Sequence, residues 1–142
     1  MAIAAALGAV LLAACGGSGG ASGYGAASAA PAAKPTVMTA NDAKLGKILV
    51  AANGMTLYTF DKDTKDTSNC YDACEKNWPA LKASDTLAGQ GVSGTLGTTA
   101  RKDGSKQVTL GGKPLYFYQA DQKVGDTLGN GVGGVWHVVV NP

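Results

Sequence analysis

The feature that most restricts this chain is that it repeats itself. Displaced by 58 residues it matches without a gap at Lys44 and Lys102, Gly46 and Gly104, Val50 and Val108, and Gly54 and Gly112. The same displacement pairs Leu57 with Leu115, Tyr58 with Tyr116, Asp63 with Asp121, Lys65 with Lys123 and Trp78 with Trp136. A tryptophan, a tyrosine and two turn glycines seldom coincide by chance. Repeat units bury a continuous core only against one another, so residues 36–142 read as one β domain made of two units, 36–82 and 94–140.

Each unit has strand chemistry. Lys47 to Ala52 and Met55 to Phe60 flank Asn53-Gly54, the strongest short hairpin signal, because Asn-Gly accepts the positive φ of a type I′ turn. The counterpart is Gln107 to Leu110, then Gly111-Gly112, then Pro114 to Tyr118. Val37-Met38-Thr39 and Thr95-Leu96-Gly97 supply an earlier strand in each unit, and Trp78 and Trp136 begin a last one. A lone four-stranded sheet leaves an apolar face in water. The expectation is therefore an all-β fold: two tandem four-stranded units packed with pseudo-twofold symmetry, as a small sandwich or a closed barrel. One short helical turn is expected near Cys70–Asn77.

The first 35 residues read as something other than fold. Ala2 to Ala14 is uncharged and apolar, shorter than the roughly 20 residues a membrane span needs, and it fits the apolar region of an export signal. Leu12-Ala13-Ala14-Cys15 resembles the lipobox of bacterial lipoproteins, in which the cysteine is acylated and the signal is cut before it. That assigns 1–14 to a signal peptide, Cys15 to lipidation, and 15–35 to a Gly/Ala/Ser/Pro tether with a reach of roughly 25 Å. The resulting location is the cell membrane or outer membrane, on a periplasmic or surface-exposed side. A net charge of +2 is too small for a nucleic-acid footprint. With Cys15 given to lipid, Cys70 and Cys74 remain as a disulfide pair. The second unit has Leu128 and Val132 there, an apolar contact in its place.

Tyr58-x-Phe60-x-x-Asp63 and Tyr116-x-Tyr118-x-x-Asp121 put two aromatics on one strand face with a carboxylate beyond the strand end. Together with the lipobox, the paired units and the downstream tryptophans, they resemble the bacterial secreted-repeat lipoproteins named for this Tyr, aromatic and Asp motif. The resemblance implies an envelope location and a duplicated architecture, and no activity. Physically the aromatics either fill the core or the seam between units, with Asp63 and Asp121 accepting loop N–H bonds, or they line a groove that stacks on a flat ligand such as a sugar or quinone-like ring. Asp61, Asp63, Asp66, Asp72 and Glu75 offer oxygens to a hard cation. Lys62 and Lys65 offset them, and the second unit keeps only Asp121 and Asp126.

The single histidine, His137, has no acid–base partner at a recognisable spacing, and the cysteine spacing fits neither a thioredoxin-type pair nor a zinc or haem motif. The expectation is a non-enzymatic binding or structural module: no catalytic residue, no metal, no cofactor beyond the lipid on Cys15, and no nucleic acid. It is expected to be a monomer whose partners are the membrane and an envelope protein or small aromatic-stacking ligand. The alternative is an accessory of envelope redox or electron-transfer chemistry, with Tyr58, Tyr116, Trp78 and Trp136 against a redox partner or small cofactor.

Overall fold

The computed structural model describes residues 36–142; the signal, the lipidation at Cys15 and the tether lie outside the described residues. Among the described residues the fold is all-β with one short α-helix and a single 3-10 turn at Val132–Gly134. In chain order it runs β1 (Val37–Asp42), β2 (Gly46–Ala51), β3 (Tyr58–Phe60), α1 (Ala73–Asn77), β4 (Gly89–Gln90), β5 (Leu96–Ala100), β6 (Lys106–Leu110), β7 (Lys113–Pro114) and β8 (Trp136–Val138). The helix falls inside the stretch where a helical turn was expected. Among the described residues the strands form three small sheets, ordered β2-β1-β4, β3-β8 and β5-β6-β7. The closed barrel is not formed. No helix of the described residues is long and apolar enough to cross a membrane.

The two hairpins of the repeat are alike but one residue out of step. Gly111 and Gly112 both take positive φ, 57° and 83°, as a two-residue type I′ turn requires, and Leu110 pairs directly with Lys113. In the corresponding turn of the first unit only Gly54 is left-handed, at 80°. The Gly54 N–H donates to Ala51 O at 2.8 Å and the Ala51 N–H to Met55 O at 2.9 Å, so the loop holds three residues, Ala52-Asn53-Gly54. The Asn53 carboxamide accepts the Met55 N–H at 3.0 Å, a local bond that offers the backbone another route around the corner. The type I′ turn expected at Asn53-Gly54 is therefore found only in the second unit.

That extra residue displaces the strands before it. The Leu57 N–H donates to Leu49 O, whereas the Leu115 N–H donates to Val108 O, so Leu49 and Val108 are equivalent although they lie 59 residues apart. The ungapped match of Val50 with Val108 is thus one residue off in three dimensions, and burial agrees. Ile48 and Gln107 are both buried behind an exposed Lys47 and Lys106.

The repeats are interlocked. β3 of the first unit pairs with β8 of the second, through Tyr58–Val138, Thr59–His137 and Phe60–Trp136. The reciprocal pairing joins Tyr116 to Ala80, with the Phe117 N–H donating to Pro79 O at 2.8 Å. It is shorter because Pro79 stands where the other repeat has His137, and proline has no N–H to give. Ile48 likewise bridges Val140, and Gln107 bridges Lys82. The last strand of each unit therefore belongs to the other unit's layer. Tyr58 and Tyr116, equivalent by repeat, exchange both backbone hydrogen bonds at 2.9 and 3.0 Å, which puts the pseudo-twofold axis between them.

The apolar run Ile48-Leu49-Val50-Ala51 is buried throughout because it lies between two cores. Ile48 and Val50 join a cluster with Tyr58, Trp78, Tyr116, Trp136 and Val138. Leu49 and Ala51 turn the other way, to Val37, Leu57, Leu81, Val108 and Leu115. A strand alternates its side chains between faces, so two apolar faces need an unbroken apolar run.

Candidate functional site

The motif residues converge on the axis. Trp78 and Trp136 stack face to face at 3.8 Å between ring centroids, 2° from parallel. Phe60 stacks on Trp136 at 4.2 Å and Tyr118 on Trp78 at 4.1 Å. The result is a four-ring column, Phe60–Trp136–Trp78–Tyr118, in which each outer ring lies on the tryptophan of the opposite repeat. Tyr58 meets Trp78 edge-on at 5.4 Å and Tyr116 meets Trp136 edge-on at 5.2 Å, an arrangement that sets the positive ring edge against the π face. Both tryptophans and both of these tyrosines are buried, and Phe60 and Tyr118 are half-buried.

The polar ends of the motif cross in the same way. Tyr58 Oη donates to Asp121 Oδ2 at 2.6 Å, and Tyr116 Oη donates to Asp63 Oδ2 at 2.7 Å. Five residues separate the tyrosine and aspartate within a motif, but each hydroxyl finds the carboxylate of the other motif. The second oxygens take loop N–H groups, as the sequence reading expected: Asn69 N–H to Asp63 at 2.7 Å and Leu128 N–H to Asp121 at 3.0 Å. Burial pushes both carboxyl pKa values up, an effect these donors partly offset. Burial also drives the Tyr58 and Tyr116 hydroxyls well above the usual tyrosine range, and the neighbouring carboxylates add to this.

Two sockets receive the tyrosine heads, and they differ. Around Tyr116 the socket is polar: Ser68 Oγ lies 2.7 Å from its hydroxyl, and Arg101 Nη1 donates to Ser68 at 3.0 Å and to Gln107 Oε1 at 2.6 Å. Arg101 Nη2 donates to Cys70 O at 3.0 Å and lies 3.2 Å from the Glu75 carboxylate, while its guanidinium covers the Tyr71 ring at 4.5 Å. Nε has no partner. Around Tyr58 the socket is backbone. The Gly129 N–H donates to the Tyr58 hydroxyl at 3.2 Å, and a Cβ there would sit 2.7 to 2.8 Å from the Tyr58 and Trp78 rings.

Cys70 and Cys74 form the expected disulfide, Cα atoms 5.2 Å apart. It anchors the segment that presents Ser68 and Cys70 O to Arg101. At the corresponding positions of the second unit Leu128 is 62 % exposed while Val132 packs against the core, and the bare backbone of Gly129 sits on the rings.

Sequence reasoning missed Arg101, Ser68, Gln107 and Gly129. One signal was available, since Arg101 is the only arginine and Glu75 the only glutamate in the chain. A planar fork is chosen over lysine where several acceptors must be met at once.

This geometry leaves little of the motif open. The faces of Tyr58 and Tyr116 are inside the protein, so neither can stack on a ligand from outside. Among the carboxylates of the acidic loop, Asp63 is taken by Tyr116 and Asn69, and Asp61 lies 2.8 Å from His137 Nε2 at the surface. Among the described residues no three His, Cys, Asp or Glu side chains are grouped to hold a metal. Open surface remains at Phe60, beside a cleft of about 280 Å³ lined by Asp61, Asp63, Lys65, Gly112 and Lys113.

No curated protein and no solved structure matches the chain. The family model described as a secreted repeat of unknown function (Lipoprotein_15) matches twice, at residues 39–82 and 97–140. Those two segments are the interlocked halves whose motifs cross at the axis, and the chain belongs to this secreted-repeat family.

Proposed function

We propose that this secreted-repeat protein is anchored to the envelope by lipid on Cys15, and that residues 36–142 are a rigid, non-enzymatic module for binding or structure. One observation carries the reading: the polar atoms of the two motifs are spent on each other, Tyr58 on Asp121 and Tyr116 on Asp63. A catalytic constellation keeps a donor, acceptor or nucleophile aimed into an open cleft. Here the groups that look chemical close the fold, and binding falls to half-buried surface at Phe60 and Tyr118. The redox alternative draws on one feature, the continuous column from Phe60 to Tyr118.

The test is the full chain made in a lipoprotein-processing bacterium, beside Cys15→Ala. Mass spectrometry is expected to find a diacylglyceryl cysteine at the mature N-terminus, with the protein in the membrane fraction and the variant released. An unmodified mature cysteine overturns the anchor. For the module, the purified protein is expected to be colourless, and a bound chromophore would turn the assignment to the redox alternative.

A further inference from the structure

We infer that the repeat, rather than the domain, is the unit of association, and that the partner it fits is a second copy of this chain. Two chains would exchange repeats, the first unit of each closing on the second unit of the other. The observation is the strand crossing. The strand pairing, both tyrosine–aspartate bonds and the whole ring column run between repeats: β3 with β8, Tyr58 with Asp121, Tyr116 with Asp63, the two tryptophans with each other, and each outer ring with the opposite tryptophan. Only the segment from Ala83 to Thr95, which carries β4 against β1, makes these contacts intramolecular. A chain so built is a two-body complex held together by a linker. A linker that reaches favours the closed monomer through an effective concentration of about millimolar, and one that cannot reach removes that preference.

The pairing has a direction. Arg101 follows β5, at the place where the first unit has Asp42, the last residue of β1: Arg101 N–H donates to Ser105 O and Asp42 pairs with Gly46. Besides Gln107 of its own unit, its acceptors Ser68 and Cys70 O and its counter-ion Glu75 belong to the first unit. Two second units together would bury two arginines without these acceptors. Two first units would leave Cys70 O and Ser68 without their donor. A buried charge or carbonyl stripped of its partner is costly, so Arg101 selects first-with-second pairing over either like pairing.

The linker makes the test direct. Lys82 bridges Gln107, and Gln107 pairs with Thr99 on its other side, so Lys82 and Thr99 are about 10 Å apart at ordinary strand spacing. Leu96 lies three residues further along β5, which makes the span from Lys82 about 14 Å. Joining Ala83 directly to Thr95 leaves three Cα steps, a reach of about 11 Å. This deletion variant of the full chain is expected to fold as a dimer, seen as twice the monomer mass by light scattering. A folded monomer overturns the inference; because the deletion also takes β4 from β1 and Leu87 and Val92 from the core, a variant that does not fold passes the decision to the second arm. A second arm keeps every residue: the full chain with a protease site placed in the linker is cut, unfolded and refolded. One-to-one reassembly of the two halves is expected, with neither half alone reaching the same stability. Halves that fold separately as monomers, or that self-pair as tightly as they cross-pair, refute it.

Discussion

The crossing of the motifs can be measured as a coupling. Tyr58→Phe removes a hydroxyl that donates to Asp121 at 2.6 Å and accepts from the Gly129 N–H at 3.2 Å, with both Tyr58 and Asp121 buried. A hydrogen bond to a charged group contributes about 1.5–3 kcal/mol, and a stranded buried N–H costs about 1 kcal/mol or more. The variant should lose about 3 kcal/mol, which at a slope of about 2 kcal/mol/M lowers the urea midpoint by roughly 1.5 M. Removal of Asp121 by Asp121→Ala forfeits the same bond, so the double variant should lose less than the sum. The expected coupling is about 1–3 kcal/mol. The decisive control is Asp63→Ala. Asp63 belongs to the same motif as Tyr58, five residues along, yet it bonds Tyr116, so its coupling with Tyr58 should stay below about 0.5 kcal/mol. Equilibrium urea unfolding, followed by far-UV circular dichroism, gives all four corners of each cycle. If Tyr58 couples to Asp63 as strongly as to Asp121, the interlocked arrangement is wrong.

Three further outcomes follow from the same packing. Asp63 and Asp121 carry raised pKa values in the fold, so their contribution is complete below the ordinary value of 3.8 and declines as pH rises through their folded values. The stability difference between wild type and Asp63→Asn/Asp121→Asn should therefore fall from pH 4 upward, and a difference that rises with pH refutes the assignment. Tyr58 and Tyr116 are also raised; above about pH 10 each should lower stability by up to about 1.4 kcal/mol per pH unit, and Tyr116→Phe should halve that slope. Gly129→Ala adds a methyl 2.7 to 2.8 Å from two rings and should cost about 1–3 kcal/mol by overpacking, read as a lowered urea midpoint. Arg101→Ala strands Cys70 O and Glu75 and should cost about 3–5 kcal/mol, while Glu75→Gln, at the half-exposed end of the pair, should cost under about 1 kcal/mol; equal losses would show that the ion pair, not the fork, holds the loop.

Local features were legible in the sequence because they depend on neighbours. The strand runs, the left-handed Gly54 and Gly112, and the disulfide between Cys70 and Cys74 all arise within a few residues, and the 58-residue displacement found the two halves. What could not be read was which half a strand would join. A β-strand presents the same donors and acceptors to any partner, so nothing in Trp136-His137-Val138 says that it lies beside Tyr58 and not in its own unit. The one-residue offset stayed hidden for a related reason. Lys44, Gly46 and Val50 match their counterparts by identity, while the register depends on whether the Asn53 carboxamide captures a backbone N–H. Arg101 was passed over because its value lies in five contacts, four of them gathered from residues 68–75, distant in sequence.

The chain has two tryptophans, and they are the two rings that face each other across the axis. Light absorbed at 295 nm therefore reports on one place only, the seam where the halves meet. Emission should rise and shift to longer wavelength as that seam opens, so this stack is a built-in gauge of the union, readable without adding a dye.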